Sequence, residues 1–264
     1  MAQQRGRSFK QRMGRPDHKV ASQGTPTIRL YGLHAAEAAL ANPQRRVRAI
    51  YATLNAAQRL ALTAQPGRAP LHIVAPRDLD RMLGAEAVHQ GILIEADPLP
   101  EPDFATLETA KLVVILDQVT DPHNVGAVLR SAAVFGAQAL VMTARHSPPL
   151  AGALAKAASG GLEHVPVVLV ANLARALADL GEMGFLRAGL DSASQEFFEN
   201  LPAPEKLAVV LGAEDRGLRR LTAELCDGVC ALSTAGSISS LNVSNAAAIA
   251  LHMAHLKMRN RPDS

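Results

Sequence analysis

The sequence predicts an α/β protein: a large C-terminal domain on a parallel sheet with helices on both faces, preceded by a smaller α/β domain. Three observations carry this. From Leu112 onward, short runs of Val, Leu and Ile alternate with helical stretches, the pattern of strands buried on both faces. Pro98, Pro100 and Pro102, interleaved with Glu101 and Asp103, break every regular pattern and read as a linker. At 264 residues and 48% hydrophobic composition, the chain can bury a core of one large domain or two unequal ones.

Residues 1–27 come first. Arg5, Arg7, Lys10, Arg12, Arg15 and Lys19 face a single acid, Asp17, with almost no large apolar residue between them. Such a segment cannot pack a core. It is either a solvated, disordered tail or an arm that neutralises phosphates on a nucleic acid, and charge alone leaves both readings open. The stretch lacks the apolar run of a secretory signal, and no segment approaches the roughly 18 apolar residues of a membrane span, so a cytoplasmic protein is expected.

Residues 28–96 form the small domain, with strands at Val47–Ala52, Leu71–Ala75 and Gly91–Glu95 and helices at His34–Ala41 and Arg77–Leu83. The linker covers 97–110. In 111–264 the expected strands are Leu112–Leu116, Ala139–Met142, Val165–Val170, Phe185–Leu190, Leu207–Leu211 and Val229–Leu232. Helices are expected over Asn124–Phe135, Leu150–Ser159, Leu173–Met183, Arg216–Cys226 and Ser244–Met258. In parallel sheets ligands bind beyond the carboxyl ends of the strands. Three polar islands fall there.

The first island runs from Asp117 to Arg130, with Asn124 expected to cap the helix. Arg130 lies six residues on, roughly 600° of helical turn from Asn124, so the two do not share one tight face. Set among Ala, Val and Leu, it needs an anion or a carboxylate partner, either a ligand or a structural acid. The second island, Gly212-Ala-Glu-Asp-Arg-Gly-Leu218, lacks the Lys-Ser/Thr of a phosphate loop, and the chain has no Gly-x-Gly-x-x-Gly fingerprint. ATPase and dehydrogenase chemistry are thereby disfavoured. There Gly212 would let a ligand approach the backbone and Glu214 could hydrogen-bond or pair with an arginine. A plain capped turn explains the segment as well. The third island, Gly236 to Asn245, supplies serines and asparagines ahead of a helix, where Asn242 or Ser244 can cap. Ser240 has no evident base nearby, and His252 and His255 read as helix-face residues. Cys226 and Cys230, four apart, match no zinc or redox spacing, so no metal is expected and both read as small buried hydrophobes.

Taken together, Asn124 with Arg130, Gly212 with Glu214 and Gly217-Leu218, and Ser240-Leu-Asn-Val-Ser244 resemble the three signature motifs of the SpoU family, also called the TrmH family, of RNA ribose 2′-O-methyltransferases. Tyr31-Gly-Leu-His34 and His89-Gln-Gly91 resemble the N-terminal substrate-binding domain of the subgroup acting on guanosine in 23S ribosomal RNA. The resemblance implies a SPOUT-type sheet with a deep trefoil knot around residues 207–245, which connection rules alone would not suggest. It further implies a homodimer, S-adenosylmethionine as methyl donor, and an N-terminal domain like a ribosomal RNA-binding protein.

By the same resemblance, Gly212, Leu232, Thr234 and Leu241 would line the donor pocket, while Asn124, Arg130, Glu214, Ser240 and Asn242 would surround the reacting ribose. It casts Arg130 as the base. A guanidinium stays protonated, however, so the expectation from chemistry is that Arg130 grips a phosphate and stabilises the developing alkoxide. A transfer RNA substrate and a catalytically silent RNA-binding assembly factor are the alternatives. Family members acting on tRNA lack the domain at 28–96, and silence sits poorly with three intact motifs.

Overall fold

The computed structural model describes residues 27–64, 69–238 and 240–260; the expectation for the basic tail therefore lies almost wholly outside them. Two sheets organise the chain. The smaller has strand order β1-β4-β2-β3, from β1 (Ile28–Tyr31), β2 (Val47–Ala52), β3 (Leu71–Ile73) and β4 (Ile92–Ala96). Pairing is antiparallel for β1 with β4 and for β2 with β4, and parallel for β2 with β3. Helices α1 (Leu33–Ala41), α2 (Leu54–Arg59) and α3 (Pro76–Leu83) accompany it. Neither β1 nor α2 is expected from the apolar pattern. In β1, Arg29 interrupts the run and ion-pairs with Glu95 across the strand pair. In α2, Thr53 supplies the start signal by accepting from the Ala56 N–H.

The larger sheet is wholly parallel, ordered β10-β8-β9-β5-β6-β7, from β5 (Leu112–Asp117), β6 (Ala139–Thr143), β7 (Val167–Val170), β8 (Leu186–Leu190), β9 (Leu207–Gly212) and β10 (Gly228–Cys230). Helices α4 (Pro122–Phe135), α5 (Gly152–Ala158), α6 (Gly161–His164), α7 (Leu173–Glu182), α8 (Arg220–Glu224) and α9 (Val243–Arg259) cover it. Because strand side chains alternate, Leu112, Val114, Leu116, Leu207, Val209 and Leu211 enter one core with α4 and α9, while Val113, Ile115, Ala208 and Val210 enter the other with α7. The first core continues through Leu154, Ala155 and Ala158 into Leu30, Ile50 and Ile94 of the small sheet and Ala36 of α1.

Strand order reverses between β5 and β9, where Asp117 lies in register beside Gly212. That is the switch point at which open parallel sheets leave a crevice. Several boundaries move for local reasons. Asp121, not Asn124, caps α4: its carboxylate accepts from the His123 N–H and Pro122 takes the first helical position. The expected helix Arg216–Cys226 shrinks to α8, because residues 213–217 close a turn with the Gly217 N–H on the Ala213 carbonyl. Strand β7 starts at Val167, since Pro166 has no N–H to pair. No described helix is long and apolar enough to cross a membrane, and the described residues contain no group of three or more side chains able to hold a metal.

Candidate active site

The turn after β9 is shaped by backbone contact. A Cβ built on Gly212 would lie 2.1 Å from the Gly217 carbonyl carbon and 2.4 Å from the Leu218 nitrogen. What approaches the Gly212 Cα is thus its own turn, which by itself calls for a glycine at this position. The turn is anchored from behind by Asp117, which is fully buried at the end of β5. Its Oδ1 accepts from Arg219 Nε at 2.6 Å and its Oδ2 from the Arg219 N–H at 3.1 Å. Sequence reading missed this pair; the signal was an acid closing an otherwise apolar strand.

Held this way, Glu214 becomes the meeting point of the three islands. Its Oε1 accepts from Asn124 Nδ2 at 2.9 Å, from the Val243 N–H at 3.4 Å and from Asn242 Nδ2. Asn242 Nδ2 also donates to Asn124 Oδ1 at 3.1 Å, while Asn242 Oδ1 caps α9 by accepting from the Ser244 N–H at 2.8 Å and hydroxyl at 2.6 Å. Every polar atom of this latch except Glu214 Oε2 is engaged. Asn124 stands in the first turn of α4, Asn242 immediately before α9, and Glu214 in the β9 turn, so the latch ties two helices to the sheet centre.

Beside the latch lies a cleft of about 310 Å³ at the carboxyl ends of β8, β9 and β10. Gly212, Leu232, Thr234 and Leu241 all line it, as do Glu214 and Ser240. Its floor is apolar, from Leu190, Leu211 and Val243, and its rim carries Asp191, Asp215 and Arg216. Burial pushes the Cys230 thiol up, so this wall stays neutral. Asn124 and Asn242 stand behind Glu214 and do not line the cleft. Arg130 joins neither group: it is exposed on α4, roughly 9 Å further along the helix axis than Asn124, and has no hydrogen bond or ion pair among the described residues. The structural-acid reading of Arg130 therefore has no partner within the described chain.

A family model described as SpoU rRNA Methylase family matches residues 111–252, and one described as RNA 2′-O ribose methyltransferase substrate binding matches 29–102. The chain belongs to the SpoU rRNA methylase family. Among SpoU relatives, the 23S rRNA (guanosine-2′-O-)-methyltransferase RlmB of Pseudomonas putida is 38% identical over 84% of this chain and 94% of its own length. The RlmB of Salmonella typhimurium is 35% identical over 84% and 95%. Among solved structures, the SpoU methyltransferase AviRb from Streptomyces viridochromogenes, crystallised with AdoMet, shares the fold at a TM-score of 0.75 and 21% identity, covering 89% of this chain and 92% of its own.

Proposed function

We propose that this SpoU protein transfers a methyl group from S-adenosylmethionine to the ribose 2′-oxygen of a guanosine in 23S ribosomal RNA. The observation that carries the reading is the Glu214 latch, which fixes all three polar islands at the mouth of one cleft. The cleft suits the donor: leucine walls fit an adenine face, the backbone of the β9 turn and the hydroxyls of Thr234 and Ser240 offer hydrogen bonds, and the charged rim meets an amino-acid tail. When bound, S-adenosylmethionine supplies an electrophilic methyl group whose sulfonium departs as a neutral thioether. The similarity to RlmB over both matched regions supports the substrate, because the matched substrate-binding region lies outside the methylase region.

In this reading the protein accelerates the reaction mainly by alignment. Glu214 Oε1 accepts three donors, so this oxygen is committed to holding Asn124 and Asn242 in place. Arg130 presents a planar fork of donors with no acid paired to it among the described residues. Such a fork suits the phosphate next to the target ribose, where it would also stabilise the developing alkoxide.

The same residue speaks for a homodimer. Val134, 69% exposed and one turn from Arg130 on α4, and Ile249, 42% exposed on the packed helix α9, give a second copy apolar surface to cover, carrying its Arg130 toward the neighbouring cleft. Family threading through residues 207–245, the trefoil knot, belongs to this reading as well. It is supported by the path from β9 to the edge strand β10 and back to Asn242 beside Glu214.

Transfer of labelled methyl from S-adenosylmethionine to unmodified 23S RNA and to unmodified tRNA, with Arg130→Ala as control, tests the reading. Label on one guanosine ribose of 23S RNA, reduced at least about a hundredfold in the variant, is expected, the order seen when one transition-state charge donor is removed. Label on tRNA alone would overturn the substrate assignment, and label on neither would overturn methylation of free RNA.

A further inference from the structure

A buried polar clamp joins the small domain to α6, which packs against the helix carrying Arg130, and we propose that Arg45 and Asn42, closing on Glu163, position RNA held by the small domain for methyl transfer. This rests on the functional reading above, in which the small domain holds RNA. Arg45 lies in the loop between α1 and β2, and Glu163 in α6, 118 residues away. Their side chains are 1% and 3% exposed. Arg45 Nη2 donates to Glu163 Oε1 at 2.7 Å and Nε to both carboxylate oxygens at 3.2 and 3.1 Å; Asn42 Nδ2 donates to Oε2 at 2.8 Å. Arg45 Nη1 reaches the Asp97 carbonyl at 3.0 Å, where the chain leaves the small sheet. One guanidinium thus holds the small domain, the start of the connecting segment and the large domain together.

The clamp reaches Arg130 through two glycines that face opposite ways. Gly160, at a φ of +96°, turns toward α1, and a Cβ on it would come within 2.9 Å of the Ala38 Cβ. Gly161 turns toward α4, and a Cβ there would lie 2.8 Å from the Leu129 carbonyl oxygen and 3.1 Å from the Arg130 nitrogen. The backbone between α5 and α6 therefore touches the small domain on one side and the Arg130 peptide on the other. A buried ion pair adds little stability over an apolar pair of the same shape; what it adds, when every donor is matched, is a defined geometry. Here that geometry sets the distance between the RNA grip and Arg130, and with it which ribose comes into reach.

The test compares wild type, Glu163→Gln and Asn42→Ala by calorimetric binding of S-adenosylmethionine, by kcat and KM for a 23S RNA transcript, and by mapping of methylated riboses. Expected are donor affinities within twofold of wild type, since none of Asn42, Arg45 and Glu163 lines the cleft. KM for RNA should rise about tenfold in Glu163→Gln and less in Asn42→Ala, with methyl groups appearing at additional riboses. An active wild type with unchanged RNA KM and a single modified ribose in the variants overturns the proposal; should Glu163→Gln fail to fold, Asn42→Ala decides alone. A wild type that methylates no RNA would instead sink the functional reading itself, and the clamp's role with it.

Discussion

Replacing Gly212 by alanine should cost this protein both stability and its donor site. The added methyl carbon would stand 2.1 Å from the Gly217 carbonyl carbon, 2.2 Å from its oxygen and 2.4 Å from the Leu218 nitrogen. Carbon contacts are comfortable at about 3.5–4.0 Å, so the turn must retreat by more than about 1 Å. Retreat is resisted on two sides, because Leu218 is 9% exposed within the core under α7 and Arg219 is tied to buried Asp117. Overpacking against backbone costs about 3 kcal/mol, the upper end of the usual range. In a protein of this size that lowers Tm by roughly 6–12 °C. The displaced turn also carries Glu214 and much of the cleft wall, so donor affinity should fall at least about a hundredfold. Differential scanning calorimetry and isothermal titration with S-adenosylmethionine check the two parts separately. A Tm within about 2 °C of wild type would refute the packing argument, and an unchanged affinity in a destabilised variant would show that the turn does not form the donor site.

Glu214→Ala frees Asn124, Asn242 and the Val243 N–H at once; methyl transfer should drop about a hundredfold while the circular dichroism spectrum stays native, and a rate within threefold of wild type would remove the latch from the mechanism. Arg130→Lys keeps the charge but loses the fork, so kcat/KM should fall at least about tenfold, whereas a near-wild-type rate at neutral pH would rule out bidentate phosphate contact. The Arg187 guanidinium, hydrogen-bonded to both oxygens of Asp227 at 2.6 and 3.0 Å, holds that carboxyl below its usual range. A depressed folded pKa stabilises above the unfolded value of about 3.9 and is lost as pH falls through the folded one. The Tm gap between wild type and Asp227→Asn should therefore be constant above about pH 5 and close in acid; a gap that widens there would reverse the assignment. Deleting residues 1–25 removes six cationic side chains, and if they meet phosphates the slope of RNA affinity against salt should flatten by up to about 4, with donor binding unchanged.

How much of this was legible in the sequence depended on whether the cause was local. The central strands β5 and β9 are buried along their whole length, so their uninterrupted apolar runs announced them. The polar islands announced themselves too, because polar residues directly after such strands must sit at the rim. By contrast, β1 and α2 owe their existence to a cross-strand ion pair and a threonine cap, which leave little periodic trace. The contact of Glu214 with Asn124 and Asn242 spans 90 and 28 residues, and no spacing rule predicts it. Resemblance grouped those residues; the structure adds that they bind one another and that Arg130 stands apart. The Arg45–Glu163 pair had no signal at all, since neither residue is unusual in its own segment.

Two arginines, Arg130 in the first island and Arg219 just after the second, differ in partner, and the difference bears on mechanism. Arg219 is neutralised by an aspartate that has no contact with water, so its charge is committed to holding the β9 turn. Arg130 has no carboxylate within the described chain, although it sits on a helix packed against both α5 and α9. An unpaired guanidinium stays solvated at modest cost and gains most when a pair of oxygens sharing a negative charge reaches its fork from outside. RNA phosphate offers that pair, and in the proposed dimer a second protomer would supply Arg130 to a cleft that the protomer's own Arg130 does not line. Mixing Arg130→Ala protomers with protomers whose cleft is closed by Gly212→Ala separates the two geometries. If Arg130 acts across the dimer, half of the possible sites in a mixed dimer lose both groups while the other half are intact, and activity reappears on mixing two inactive proteins. If it acts within its own protomer, every site in the mixture carries one defect and activity stays absent.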